Sequence, residues 1–398
     1  MSGFRGSVSV TAVSQTPFSR GRADKGEQRL TPKEYAAWAL EELLKSADLE
    51  LKDLNGQGVG VTGSAYPHSE MWAPELVQDL GLEPKVLVRA EHGGASAANL
   101  VVQGTLMIHA GYIDHFLIVA ADSPLLDGYP QLVLEDYETD FMRPFGYMGP
   151  VTIAGKLMRR YMHEYGARPE QFGKVAVTER LHASLNPKAY FRTPITMEDY
   201  LNSRVYSDPI RLFDVPAWVN GGFAILLSSS RVARRVAENP VQILGFGLYN
   251  NYREGRPFAP DITTTGVKVA AAEAYSMSGT SPREIDNFHP YDNFTVAVLM
   301  QIEDAGFAEK GKAPKFLDEN DISYKGNLPI NTSGGLLSAG QAGLACGCLH
   351  IVEAVMQLRG ECGERQVKGA RRALVTGIGG IGYYGNFVST AALILGTE

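Results

Sequence analysis

Apolar and polar positions along the chain repeat with the two periods of regular secondary structure. In "TPKEYAAWALEELLKSADLELKDLNGQGVGVTGS", Ala36, Ala39, Leu40, Leu43 and Leu44 recur at helical spacing. Thr31 as N-cap, Pro32 at the first helical position and Glu34 two residues further mark where that helix starts. A loop and a short strand follow. The same order returns in "TTTGVKVAAAEAYSMSGTSPREIDNFHPYDNF", with Val267, Ala270, Ala271 and Ala274 as the apolar face and "EIDNFHP" as the strand. A second pair also matches. "GGASAANLVVQGTLMIHAGYIDHFLIVAAD" predicts a glycine turn, a small-residue helix and an apolar strand, and "GGLLSAGQAGLACGCLHIVEAVMQLRG" followed by "RRALVTGIGG" repeats that order around a polar insertion. Two matched β-α units in each half predict a duplicated α/β chain whose halves pack together.

The first half carries the longer insertion, over 124–215, rich in Tyr, Arg, Met and Pro, and such insertions on a rigid core build pocket walls or subunit contacts. "GGFAILLSSS" closes that half as a buried strand and "PVQILGFGLYNN" opens the next, which places the division at 1–235 and 236–398. The stretch from Ala342 to Cys348 has too few polar positions for a surface helix and is expected as a helix between two layers of sheet.

Composition narrows the function classes. With 398 residues, 44% of them hydrophobic and 20% charged, the chain can bury two ordinary cores. A net charge of −7 and an isoelectric point near 5.7, with Lys and Arg scattered, offer nothing to a phosphate backbone, so nucleic acid is not an expected partner. Cys346, Cys348 and Cys362 are too few for a disulfide framework and lack zinc-ligand spacing, so no metal is expected and a reducing cytoplasm fits. No targeting segment and no membrane span are read: the run "SVSVTAV" begins a strand almost at once, and no apolar run reaches roughly 18 residues.

Four turns carry the candidate chemistry: residues 92–96, "HPYDNF" at 289–294, "NTSGGLLSAGQAG" at 331–343 and "GIGGIGYYGNF" at 377–387. Turns at one edge of parallel strands converge on a crevice where ligands bind. The glycines of "GIGGIG" lack an acidic residue about 20 positions on, so a dinucleotide is not expected.

The order of these turns, "NTSGGLLSAGQAGLACGCLHIVEAVMQLRG" above all, resembles the thiolase superfamily, in its sterol-carrier-protein-type, thiolase-like branch. "AVSQTPFSR", "HASLNP" and "SRVYSDPIRLFD" are similar to that branch too, so the resemblance runs along the whole chain. It implies two β-α-β-α-β-α-β-β halves in five layers, a homodimer, and an acyl-coenzyme A thioester as substrate.

Departures from the family pattern point to the reaction. A thiolase carries its acyl group on a cysteine of the first turn; the matching position here is Gly93, or Gly94 in the neighbouring register, with Ser96 the nearest hydroxyl. The family's glycine-histidine pair is Gly340-Gln341, its second cysteine is Gly377, and the histidine before Asp-Cys-Phe is Tyr291, followed by Asp292 and Asn293. A cradle without a nucleophile suits retro-aldol cleavage of a β-hydroxyacyl-CoA: a base takes the β-hydroxyl proton, the Cα–Cβ bond breaks, and a thioester enolate leaves. A phenol whose pKa falls from the ordinary value of about 10 can exchange that proton, and preorganised donors steady the enolate oxygen. The chain thus resembles the thiolase-like aldolases that cleave steroid side chains with a small OB-fold, zinc-ribbon partner.

The resemblance implies Tyr291 and one of Tyr383 or Tyr384 as catalytic. Substrate-binding candidates are His92, Gly93, Gly94, Ser96, Asp292, Asn293, Gly335, Gln341 and Gly380; for four of them, Gly93, Gly94, Gly335 and Gly380, backbone amides are the expected enolate donors. No cofactor is expected, since coenzyme A belongs to the substrate. Two other readings stay open: an acyltransferase using a nucleophile such as Ser96, and a non-catalytic scaffold that binds acyl-CoA. Cys346 and Cys348 read as small core residues.

Overall fold

The computed structural model describes residues 5–63, 71–126, 143–147, 149–250, 261–381 and 387–397; Tyr383 and Tyr384 lie outside them. Helix α1 (Pro32–Ala47) starts at the predicted cap. The Thr31 side chain accepts the Glu34 amide and the Glu34 carboxylate accepts the Thr31 amide, so two otherwise orphaned donors are satisfied. Ala36, Ala39, Leu40 and Leu43 are buried, against strands β1 (Val8–Gln15), β4 (His115–Asp122) and β7 (Gly221–Ser229).

Strands β2 (Gly58–Thr62) and β3 (Val86–Arg89), with helix α2 (Trp72–Asp79) between them in the chain, complete the first half in the order β3-β2-β4-β7-β1. The second half follows with β8 (Val241–Asn250), β11 (Phe387–Gly396), β10 (Arg372–Ile381) and β9 (Asn287–His289). Counting strands within each half, the second repeats the order of the first, and Ile330 bridges Phe288 of β9 in parallel where β3 stands in the first half. The halves form one nine-stranded sheet, joined through the short pairing of Ser9 and Val10 with Gln242 and Val241.

The helix Val267–Ser278 lies on β8 and β11, as α1 lies on the first half. Its contact is so close that a Cβ on Gly247 would stand 2.0 Å from the Ala270 carbonyl oxygen. Helix α3 (Ser96–His109) packs on β4, β2 and β7 and also touches β10, β11 and the Gly347–Arg359 helix. These two small-residue helices form the middle layer, which brings the N-terminus of α3 beside the turns of the second half. A short hairpin of β5 (Val205–Ser207) and β6 (Ile210–Arg211) lies in the insertion, with the helices Pro150–Tyr165 and Pro169–Ser184. Among the described residues no helix is long and apolar enough to cross a membrane.

One expected helix is redrawn. The segment 342–348 is not helical throughout: Gly343–Cys346 is a 3-10 turn and the α-helix begins at Gly347. Gly343 has φ +48°, and the Leu344 amide is drawn 3.0 Å to Asp122 Oδ2 of the first half. A side-chain acceptor from the first half thus satisfies one of the amides left without a partner at this helix start.

Candidate active site

Strand β3 delivers the first turn to the inner end of α3. Gly93 adopts φ +56°, and a Cβ there would approach the Gly379 Cα and Gly380 amide nitrogen to 3.0 Å. A side chain at Gly94 meets a harder obstacle, since its Cβ would stand 2.1 Å from Cζ of Tyr291. In either register the turn has no room for a nucleophile as the chain is built. Ser96 is fully buried, donates to the Gly93 carbonyl at 2.7 Å and accepts the His92 amide at 2.8 Å. Its hydroxyl ties the turn together. His92 is exposed, with Nδ1 3.3 Å from Ser389 Oγ.

Tyr291 follows the end of β9 and is 4% exposed, its ring filling the space that glycine leaves at position 94. Gln301 Nε2 fixes the backbone by donating to the Tyr291 carbonyl at 2.8 Å. The phenol oxygen lies 3.0 Å from Cys346 Sγ, and that thiol donates to the Gly343 carbonyl at 2.8 Å. A thiol has one proton; with that proton given to Gly343, sulfur receives the phenolic proton. Burial pushes the Cys346 thiol up to about 12, so it stays protonated at neutral pH. Cys346, expected as a core residue, is in the core and also touches the candidate catalytic hydroxyl.

A cavity of about 440 Å³ opens over this arrangement. Gly93, Gly94, Tyr291, Asn293, Gln341 and Gly380 line it, as do Trp218, Leu344 and Gly379, which sequence reasoning did not single out. The insertion contributes Tyr147, Pro150, Val151 and Val215 to the wall. Four expected substrate-binding residues do not line the cavity: His92, Ser96, Asp292 and Gly335. Gly335 in particular is no enolate donor here, because its amide is spent on Ser333 Oγ at 3.2 Å and its α-carbon packs against buried carboxylates.

Those carboxylates form a layer behind Tyr291. Asp292 accepts the Leu337 amide at 3.0 Å on Oδ2, and its Oδ1 lies 3.2 Å from His350 Nε2. The His350 ring meets that of Tyr291 edge-on, with centroids 5.7 Å apart. Glu179, from the insertion, takes the Asn331 side-chain amide at 2.9 Å. Burial, and then the neighbouring Asp292 charge, hold the Glu179 carboxyl well above the usual carboxylate range, so it keeps its proton. Burial opposes ionisation of Asp292 as well, but the His350 ring and the Glu179 hydrogen bond outweigh it and hold that group below its ordinary value. Nearby, burial pushes His182 down to about 4 and His289 down to about 3, so both rings are neutral at physiological pH. Glu179 and His350 gave no signal in sequence because neither stands in a glycine turn.

Comparison with known proteins agrees with this layout. Residues 257–397 match the thiolase C-terminal domain-like family. A steroid side-chain-cleaving aldolase of Thermomonospora curvata is 32% identical over the full length of both chains. An acetyl-CoA acetyltransferase of Methanothermobacter thermautotrophicus is 30% identical, over 94% of this chain and 97% of its own. The solved Ltp2-ChsH2(DUF35) aldolase superposes with a TM-score of 0.83 at 29% identity, covering 99% of this chain and 98% of that one. With the duplicated strand order, the middle pair of small-residue helices and four turns meeting at one cavity, the chain belongs to the thiolase superfamily, in its sterol-carrier-protein-type, thiolase-like branch.

Proposed function

We propose that the protein is a carbon–carbon lyase that cleaves a β-hydroxyacyl-CoA by a retro-aldol reaction, with a steroid side chain as the substrate class. The observation that carries this reading is the exchange at the first turn. Where acyl transfer needs a nucleophilic side chain, the Tyr291 ring occupies the space and presents a hydroxyl beside the cavity. The steps balance without a further reactant. The substrate β-hydroxyl gives up its proton to a base, its oxygen becomes a ketone as the Cα–Cβ pair leaves, and the electrons settle on the thioester oxygen until the α-carbon is protonated. Tyr291 exchanges the proton with one of Tyr383 or Tyr384, and the amides that open the Gly93–Gly94 turn, orphaned as at any helix start, steady the enolate with Gln341 or Asn293. Similarity to the Thermomonospora aldolase along the whole chain supports the same reading.

The rest of the reading follows from it. Coenzyme A enters with the substrate and no other cofactor takes part. The halves divide at 1–235 and 236–398, the chain works in the cytoplasm as a homodimer, and it acts with a small OB-fold partner. The two-component Ltp2-ChsH2(DUF35) aldolase supports that last point.

The deciding experiment is mass spectrometry of the chain, with any OB-fold partner, on a steroid β-hydroxyacyl-CoA with no free coenzyme A. Release of a ketone and a shorter acyl-CoA is expected. Tyr291→Phe should lower kcat by about 10²–10⁴-fold, the range for losing a general acid–base group, and change KM little. Turnover only with a β-ketoacyl-CoA and free coenzyme A would overturn the lyase and favour acyl transfer, to which the Methanothermobacter relative is the guide.

A further inference from the structure

A second cavity, of about 680 Å³, adjoins the first, with Val151, Val215, Pro216 and Trp218 lining both. On its wall stands Arg180, which is 9% exposed. Its Nε donates to Ser338 Oγ at 3.0 Å and its Nη1 reaches the Thr193 carbonyl at 3.4 Å. Among the described residues no carboxylate pairs with it, and Nη2 makes no hydrogen bond. The rings of Phe191 and Phe213, with centroids 5.3 and 5.5 Å from Cζ, flank the guanidinium. Aromatic faces attract the cation but accept none of its remaining N–H groups. A buried charge without a counter-ion is costly, and folded chains keep one where a ligand supplies the opposite charge. The planar fork suits an oxyanion, either phosphate or carboxylate, and a second cation, Arg20, lines the same cavity.

We propose that this side cavity is a subsite for an oxyanionic group of the substrate, held by Arg180 and assisted by Arg20. Its aromatic walls take the adjoining apolar part of the molecule. The assignment of the bound molecule as substrate rests on the lyase reading; the anion-binding property does not. Two sources share the chemistry: a phosphate of the coenzyme A moiety, and a carboxylate on the ring fragment that departs as ketone.

The test compares wild type with Arg180→Met, Arg180→Lys and Arg20→Gln. Calorimetry uses coenzyme A, glutarate and uncharged pantetheine as probes. Binding of coenzyme A or glutarate should weaken at least tenfold in Arg180→Met and less in Arg180→Lys, with pantetheine unchanged. In turnover, KM should rise about tenfold with kcat nearly constant. If that defect disappears when the CoA thioester is replaced by an N-acetylcysteamine thioester, the anion is the phosphate. If it persists there for a ring acid and vanishes for the neutral ring, the anion is the carboxylate. Equal losses for the neutral N-acetylcysteamine substrate, or no loss with any probe, overturn the subsite. Should both Arg180 variants fail to fold, Arg20→Gln must still show the same selectivity at smaller size, and its absence there counts equally against the proposal. A wild type that binds these anions but cleaves nothing defeats the lyase and leaves the subsite standing.

Discussion

Tyr291 and Gly94 are two halves of one feature, separated by about half the chain and brought together by the meeting of the two halves. The sequence showed that each turn had lost its family residue; it did not show that one substitution fills the space left by the other, since that fit depends on tertiary contact. It carries a prediction. Gly94→Ala places a methyl where the Tyr291 ring stands, so the ring must move or the helix must shift, at a cost of about 1–3 kcal/mol. Cleavage should fall at least tenfold while the far-ultraviolet circular dichroism is kept; full activity in a crystal-verified Gly94→Ala chain would remove Tyr291 from the reaction. Glu179 supplies a second test. Folded chains hold its proton where unfolded chains release it, above the ordinary glutamic acid value of about 4.3, so the folded state binds more protons there and loses stability as pH rises. Glu179→Gln keeps the neutral shape and can still accept from Asn331. It should match wild type near pH 4 and melt higher near pH 8; parallel melting curves across that range would show that Glu179 is ionised in the fold.

At the level of the element, local signals were readable where the cause is local. The capping residues of α1 and the apolar faces of α1 and of the Val267–Ser278 helix lie where the pattern put them, because caps and periodicity act within a few residues. The 342–348 segment was misread for the opposite reason: the Asp122 carboxylate that draws the Leu344 amide comes from a strand more than half the chain away. The carboxyl layer was illegible too, as Glu179 looks like any helical glutamate until the Pro169–Ser184 helix is seen against the 331–337 turn. The closeness of strand to helix gives the prediction at this scale. Gly247→Val drives side-chain carbons into the backbone carbonyl of Ala270, an atom with no rotamer to relieve the clash. It should cost at least about 1–3 kcal/mol in denaturant unfolding, whereas Gly111→Ala, with open space around it, is expected to lose only what its φ of +72° imposes. A Gly247→Val midpoint no lower than that of Gly111→Ala would mean the helix does not press on β8.

For the whole molecule, the duplication was the most legible property, because each half repeats the same succession of turn, helix and strand. Assembly is less so, yet the sheet restricts it. At one edge, β9 is covered: Phe288 donates to the Pro329 carbonyl and accepts the Asn331 amide. At the other, no strand among the described residues pairs with the outer side of β3, whose four residues are all half-buried. An open edge of this kind is a template for another strand, and a second copy of the chain offers the same edge by two-fold symmetry. Register identifies the groups involved. The Val86 and Ala90 amides point inward to the Gln57 and Val61 carbonyls, so by alternation those of Leu87 and Arg89 point out. Leu87→Pro therefore removes an outward donor and leaves the inner ladder intact. If the homodimer forms through this edge, sedimentation should give a dimer for wild type and a monomer for Leu87→Pro, with the variant still folded by circular dichroism. A variant that stays dimeric places the interface elsewhere, and a monomeric wild type means that this edge does not pair two copies of the chain.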